Sequence, residues 1–440
     1  MDLGAIFSFQ DNDGGRSRSM IKPGIALLSC CALLSSCRDA PRSISAQTLH
    51  SPVVGIGLVP QVTPLAAGKT LLSWQTPLNG GGYAFEMAVH QGDAWSEVRT
   101  IATGPNLSMF SADLPGVAEL PGGALLAYWE LKDSRDGDPY ATAIQTSISR
   151  DEGRTWSPAV QPYGDALAGQ HSFLSWFPDN DGLGLLWLDA DERSRVRHAS
   201  MRSGAQANED TMGSVGLRYA ALGPEGRVMR DFFIDPITCE CCPTSASVTS
   251  HGPVVVYRGR QESPGTKPSD VRDDRPTVRD IYITRREAGR WTKPHLVHAD
   301  NWVINACPDN GPAVDASGNA VAVAWWTGSD DTPKVQVAFS SDAGDTFGRA
   351  FRVDSAKGEG QVTLALLPGG DAAVVGWLEN GQTWARWVSS KGVAGRPIAL
   401  GKSPRHSRLP RWVVQDRSVI AAWTSKANEL PHIQVSRLKL

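Results

Sequence analysis

The sequence predicts an all-β chain folded as a propeller of four-stranded blades, seven by count, with six as the alternative. Three observations predict it. A β-type run, a turn bearing Gly, Asn or Asp, and an apolar run ending in an aromatic recur together seven times along the 440 residues. A more polar pair of β-type segments follows each copy. One octet, Ser149-Arg-Asp-Glu-Gly-Arg-Thr-Trp156, returns far away as Ser340-Ser-Asp-Ala-Gly-Asp-Thr-Phe347. Self-similarity of this kind marks a repeat architecture, and four-stranded units repeated radially are propeller blades. No helix-period segment of useful length is visible.

The first stretch of the chain reads as an export signal. Residues 23–36 are apolar, follow Arg16, Arg18 and Lys22, and are too few to span a bilayer as a stable anchor. They end in Leu34-Ser35-Ser36-Cys37, which resembles the lipobox of bacterial lipoproteins. That resemblance implies acylation of Cys37, a membrane partner through the lipid, and a place in the bacterial cell envelope, periplasmic or surface-exposed. An ordinary secretory signal cut nearby is the alternative, and translation starts at Met1 or Met20. The expected division is a signal peptide over 1–37, a polar linker over 38–50 and the propeller over 51–440.

The seven hairpins cover residues 61–74, 116–129, 173–187, 245–257, 312–325, 362–377 and 411–423. Each pairs two buried strands across a tight turn. Third strands are expected at 83–89, 141–147, 195–201, 280–285, 334–339, 383–388 and 432–438. Aromatics closing the hairpins would stack between blades, which accounts for 15 Trp in the chain. The seventh unit has only three strands of its own, and residues 51–58 are expected to supply its outer strand, pairing the two ends of the chain.

Within each octet the carboxylate of Asp151 or Asp342 can accept from backbone N–H groups of its own loop. Gly153 or Gly344 permits a positive φ, and Trp156 or Phe347 can cover the hairpin. These residues have a structural job. The pattern Ser-x-Asp-x-Gly-x-Thr-Trp/Phe resembles the Asp-box of the bacterial neuraminidase repeat, found in sialidases and in many other β-propellers, so the chain is identified as sialidase-like. The box is shared by enzymes and binding proteins, and fold does not imply function. The family also uses three arginines for a sialic-acid carboxylate, a Tyr nucleophile with its Glu, an Asp acid/base, and an Arg in a Phe/Tyr-Arg-Ile-Pro motif. That motif is absent. Leu58-Val-Pro-Gln61 leads the first hairpin, and Tyr257-Arg258 and Pro410-Arg411 are the nearest arginine candidates.

In a four-stranded blade the loops leading into strand one, and those joining strands two and three, lie on one face around the channel. That near face is the default place for a ligand. Two of its loops carry Cys239, Cys241, Cys242 and Cys307, on blades four and five. They read as disulfides tying neighbouring blades, as an exported chain permits, or as a soft-metal site for copper or zinc. Charges on the same face are Glu130, Asp189, Asp191, Arg193, Arg258, Arg260, Glu379, Arg408 and Arg411. Of these, Arg258, Arg260, Glu379 and Arg411 are the expected ligand-binding set, since arginine forks suit a carboxylate, although inter-blade ion pairs would explain them too. The insertion over 261–278 has the composition of a loop and a lid's position.

At a formal net charge of −3 the chain has no basic footprint for nucleic acid. Three readings remain. The first is an exported propeller that binds an anionic glycan or another carboxylate-bearing ligand. The second is an exo-sialidase-type glycoside hydrolase, and the third a metal-handling or redox lipoprotein centred on the cysteines.

Overall fold

Each apolar hairpin forms the inner strands of one blade, and the blades stand in a ring as a seven-bladed β-propeller. The computed structural model describes residues 40–110, 113–133, 141–163, 171–179, 182–190, 215–262, 276–404, 407–427 and 430–440. The signal stretch with Cys37, the segment 195–201, Asp191 and Arg193 lie outside the described residues.

The inner pairs are Leu58–Pro64 with Thr70–Pro77, Gly116–Glu119 with Leu125–Lys132, His171–Asp179 with Gly182–Ala190, and Ser245–Thr249 with Gly252–Arg258. Next come Ala313–Ser317 with Ala320–Thr327, Gly360–Leu366 with Ala372–Glu379, and Val413–Gln415 with Ser418–Ala427. Every closing aromatic of these hairpins, Trp74, Trp129, Trp187, Tyr257, Trp325, Trp377 and Trp423, is buried. Buried apolar residues fall into seven clusters, and each joins one blade to the next, the last closing blade seven onto blade one. The core is thus a ring of inter-blade seams. Leu, Val and Trp leave water there at roughly 1.5–3 kcal/mol per large side chain.

Two strands fall elsewhere than the sequence led one to expect. In blade three the outer pair is Val215–Leu222 and Val228–Asp235. The apolar alternation in Val215-Gly-Leu-Arg-Tyr-Ala-Ala-Leu222 suits a half-buried strand better than the charged run around 195–201. The ring is closed by Ser45–Leu49 rather than 51–58. It pairs antiparallel with Leu430–Lys439, Ser45 opposite Lys439 and Leu49 opposite Val435. Part of the stretch read as linker is therefore a strand, largely exposed as an edge strand is, while Leu58 already begins the inner strand of blade one.

The two octet turns share one hydrogen-bond pattern. Thr155 donates to Asp151 through its N–H at 2.8 Å and its hydroxyl at 2.7 Å, and Gly153 N–H donates to Ser149 Oγ at 2.7 Å. In the other copy Thr346 donates to Asp342 at 2.9 and 2.6 Å, and Gly344 N–H to Ser340 Oγ at 2.9 Å. Gly153 and Gly344 have φ of +87° and +90°. A Cβ at either would come within 2.9 Å of Met87 Sδ or Ile283 Cδ1, on the third strand of the preceding blade. Trp156 and Phe347 pack into that same seam. The turns therefore clamp blade two to blade one and blade five to blade four.

Asp342→Ala should lower stability by about 1 kcal/mol or somewhat more through lost hydrogen bonds, and Asp151→Ala should act in the same direction. Neither touches the near face. These hydrogen bonds hold the Asp342 carboxyl down at about 2 although burial opposes them. Its contribution is therefore present above the ordinary carboxylate range and lost as pH falls toward 2. Thermal melts of both variants between pH 3 and 7 check the claim.

Candidate functional site

The four residues expected to bind a ligand do not form one basin. Arg258 is 1% exposed, and its guanidinium donates to the carbonyls of Asn310 at 2.9 Å, Arg279 at 2.5 Å and Trp326 at 2.7 Å. It also lies over the Trp302 ring at 5.1 Å. Burial pulls it down to about 10, and its donors tie blade four to blade five. Arg260 faces Glu240 at 3.6 Å, which Arg279 also meets at 3.1 Å. Glu379 is 3% exposed and accepts from Trp377 Nε1 at 2.9 Å. Arg411 reaches from blade seven to Asp315 of blade five and to Ser247 Oγ of blade four at 3.3 Å. Each is engaged with its own set of partners, and among the described residues only Arg411 of the four makes an ion pair between blades, with Asp315.

Glu379 belongs to a recurring device. Trp187 donates to Asp189 at 3.1 Å, as Trp377 does to Glu379, and each acid stands two residues after its indole on the same strand face. Asp189 is fully buried, lies 3.1 Å from His171 Nδ1 and pairs with Arg218 at 2.6 Å. Burial alone would raise its pKa, but His171 and Arg218 outweigh that and hold it low.

A different group of residues lines an open basin of about 520 Å³ on the near face. Its walls carry Ser108, Phe110, Asp113, Lys132, Thr142, Phe173 and Asp309, together with Cys241 and Cys307. Beneath it a smaller cavity is lined by Asp113, Glu130, Trp129 and Leu174. Asp113, in the loop leading into blade two, is 9% exposed, and Glu130, near the end of that blade's second strand, is 5% exposed. Burial pushes Asp113 up to about 7 against the Phe173 N–H and Arg408, which favour its charged form. Burial also pushes Glu130 well above the carboxylate range, with the charge of nearby Asp113 adding to it. Among the described residues, no hydrogen-bond partner reaches the Glu130 carboxyl oxygens. Two buried carboxyls so placed each disfavour the other's charge and titrate as a pair.

Asp113 has a quasi-equivalent in blade five. Asp113 Oδ1 accepts from the N–H of Phe173 at 2.6 Å, and Asn310 Oδ1 accepts from the N–H of Gln361 at 2.6 Å. Phe173 and Gln361 have φ of 61° and 51°, and each sits in a bulge of an inner strand. An amide suffices for that structural task at Asn310. The charge of Asp113, its burial beside Glu130 and its place in the basin wall go beyond the task. This site was missed at the level of sequence, where Glu130 stood out and Asp113 did not. The matching runs Asp113-Leu-Pro and Asn310-Gly-Pro, each three residues ahead of an inner strand, were the available signal.

The basin's rim is apolar on one side. Phe110 is 48% exposed and meets Phe173 edge-on at 6.3 Å between ring centres. Arg408 stands at the channel mouth, donating to the Thr244 carbonyl at 3.0 Å, and its charge acts on Asp113 and Asp309. The channel itself narrows to a cavity of about 60 Å³ crossed by Arg408 and Arg411.

The cysteines come together as their positions in consecutive lead-in loops require. Cys239 is joined to Cys242 and Cys241 to Cys307, with Cα separations of 5.6 and 6.1 Å. The second link ties blades four and five. Residues 261–278 contribute Gln261–Glu262 and Thr277–Val278, which pair with each other and with Val303–Ile304; 263–275 lie outside the described residues.

No family model matches the chain, and no curated protein matches it by sequence. Solved structures do match it by shape. An ulvan lyase of a polysaccharide-lyase family, solved bound to a GlcA(1-4)Rha3S unit, has 10% identity, covers 88% of this chain and 95% of its own, and gives a TM-score of 0.50. The polysaccharide lyase Uly1 has 10% identity, coverages of 86% and 89%, and a TM-score of 0.49. A Trypanosoma rangeli sialidase solved with the inhibitor DANA has 11% identity, coverages of 90% and 60%, and a TM-score of 0.41. At such identities these likenesses concern the fold.

Proposed function

We propose that the chain is an envelope propeller that binds a glycan bearing a carboxylate in the basin between Phe110, Asp113 and Lys132. The observation that carries this reading is the buried carboxyl of Asp113 in the wall of an open basin with an aromatic rim, with Glu130 buried in the small cavity it also lines. A sugar ring has one apolar face, which suits Phe110, and hydroxyls, which suit carboxyl acceptors such as Asp113 and Asp309. Lys132 at the rim and Arg408 behind it supply cations for an anionic substituent. The GlcA(1-4)Rha3S unit bound to the ulvan lyase of similar fold lends this class of ligand support by analogy only. Anchoring through an acylated Cys37 is part of the proposal and rests on the lipobox resemblance. Mass analysis of the mature N-terminus checks it, an unmodified soluble chain being the contrary result.

Binding is favoured over sialidase-type hydrolysis on geometric grounds. Arg258 and Arg411, the nearest candidates for a carboxylate-binding arginine cluster, are closed by carbonyls and by Asp315. Titration calorimetry with uronate-containing and neutral oligosaccharides tests the reading. Saturable binding of uronate oligomers, weakened roughly tenfold or more by Phe110→Ala or Lys132→Ala at unchanged melting temperature, is expected. No binding across the panel, or binding indifferent to both substitutions, overturns it, and turnover of a fluorogenic sialoside would replace it by the hydrolase reading.

A further inference from the structure

We infer that the four cysteines, once reduced, form a tetrathiolate site for one soft d¹⁰ cation, Cu(I) or Zn(II), in the wall of the near-face basin. The sulfurs of Cys239, Cys241 and Cys242 all lie within 4.8 Å of one another, and Cys241 is joined to Cys307. A tetrahedral site with metal–sulfur bonds of about 2.3 Å has sulfur–sulfur edges of roughly 3.8 Å. Cys239 Sγ and Cys241 Sγ already stand 3.9 Å apart, and opening the Cys241–Cys307 link frees the fourth sulfur beside them. Closing a four-residue loop restricts the unfolded chain far less than closing one of some 67 residues. The Cys239–Cys242 link is thus poor value as a staple, while its position beside two further sulfurs is what a chelating loop requires.

The surroundings suit a metal thiolate. The loop is pinned by Cys239 N–H donating to the Arg258 carbonyl at 2.9 Å and Thr238 N–H to the Val215 carbonyl at 2.8 Å. Cys239 and Cys242 are buried, and Cys241 and Cys307 face the basin, which gives the ion a way in. Arg260 and Arg279 flank Glu240 in the middle of the loop, and Arg258 lies behind it. Their positive charge offsets the net negative charge of a cation held by four thiolates. Conversion from the disulfide form takes two equivalents of a dithiol, each delivering two electrons and two protons to one S–S bond and ending as its own disulfide. The thiol protons leave to solvent as the thiolates take the metal.

The full exported chain should be reduced anaerobically, freed of reductant and titrated with Cu(I) against a bicinchoninate competitor, and separately with Zn(II) against a chromophoric chelator. One ion per chain is expected in at least one arm, and the arm that binds names the metal. Cys241→Ser and Cys307→Ser should each weaken binding by more than roughly 100-fold, beyond what loss of an outer hydrogen-bond partner costs, with circular dichroism confirming the fold. Should these variants misfold, Co(II) added to the unsubstituted reduced chain gives an independent reading through its thiolate charge-transfer absorption. Uptake no greater than that of a chain with all four cysteines replaced by serine, or Co(II) bound without that absorption, overturns the inference.

Discussion

Arg258→Ala should cost roughly 3 kcal/mol of stability or more, since each buried acceptor left without its donor costs about 1–3 kcal/mol. The substitution leaves the carbonyls of Asn310, Arg279 and Trp326 without their donors and opens a cavity beside Trp302. Those carbonyls belong to blades four and five and to the loops between them, so the loss falls on the seam itself. Arg258→Lys keeps the charge but lacks the planar fork that reaches three acceptors at once, and it should fall between wild type and the alanine variant. Denaturant unfolding measures both. An unchanged midpoint together with lost ligand binding would return Arg258 to the ligand site.

Asp113→Asn should stabilise the chain at pH 8 and flatten its stability between about pH 4 and 7. The Asp113 carboxyl has an ordinary value of 3.8 and is held at about 7 in the fold. The folded chain therefore binds more protons than the unfolded one across that window, and stability falls as pH rises through it. The full effect of such a rise is at most roughly 4 kcal/mol, shared with Glu130 because the two titrate together. Asparagine keeps the acceptor for the Phe173 N–H, the task Asn310 performs in blade five. Glu130→Gln should act in the same direction. Melting temperatures of the three chains from pH 4 to 8 decide it, and parallel curves would show that the fold does not raise the pair's proton affinity.

The hairpins were legible because each declares itself twice, by a turn residue and by a closing aromatic whose burial the inter-blade seam demands. The octets were legible because Asp, Gly and Thr each have a task inside a single turn. Charges were harder. Trp377-Leu-Glu379 and Trp187-Leu-Asp189 hold their indoles by the two-residue period of a strand, a local relation that the sequence contained and that explains Glu379 without a ligand. Arg258 could not be separated from a channel-facing arginine, since its three acceptors come from segments 21 to 68 residues away. The Asp113–Glu130 pair depends on how one lead-in loop bends back over its own blade. The blade-three strand at Val215–Leu222 was obscured because a long charged segment precedes it.

The central claim is that the near-face basin, and not the arginine-crossed channel, is the ligand site. A crystal structure of the chain soaked with a uronate-containing oligosaccharide tests it most directly. The account predicts a sugar ring against Phe110, hydroxyls within hydrogen-bond distance of Asp113 and Asp309, and the uronate turned toward Lys132. A saccharide held instead at Arg411 in the channel, or on the face of the octet turns with the basin empty, would contradict it.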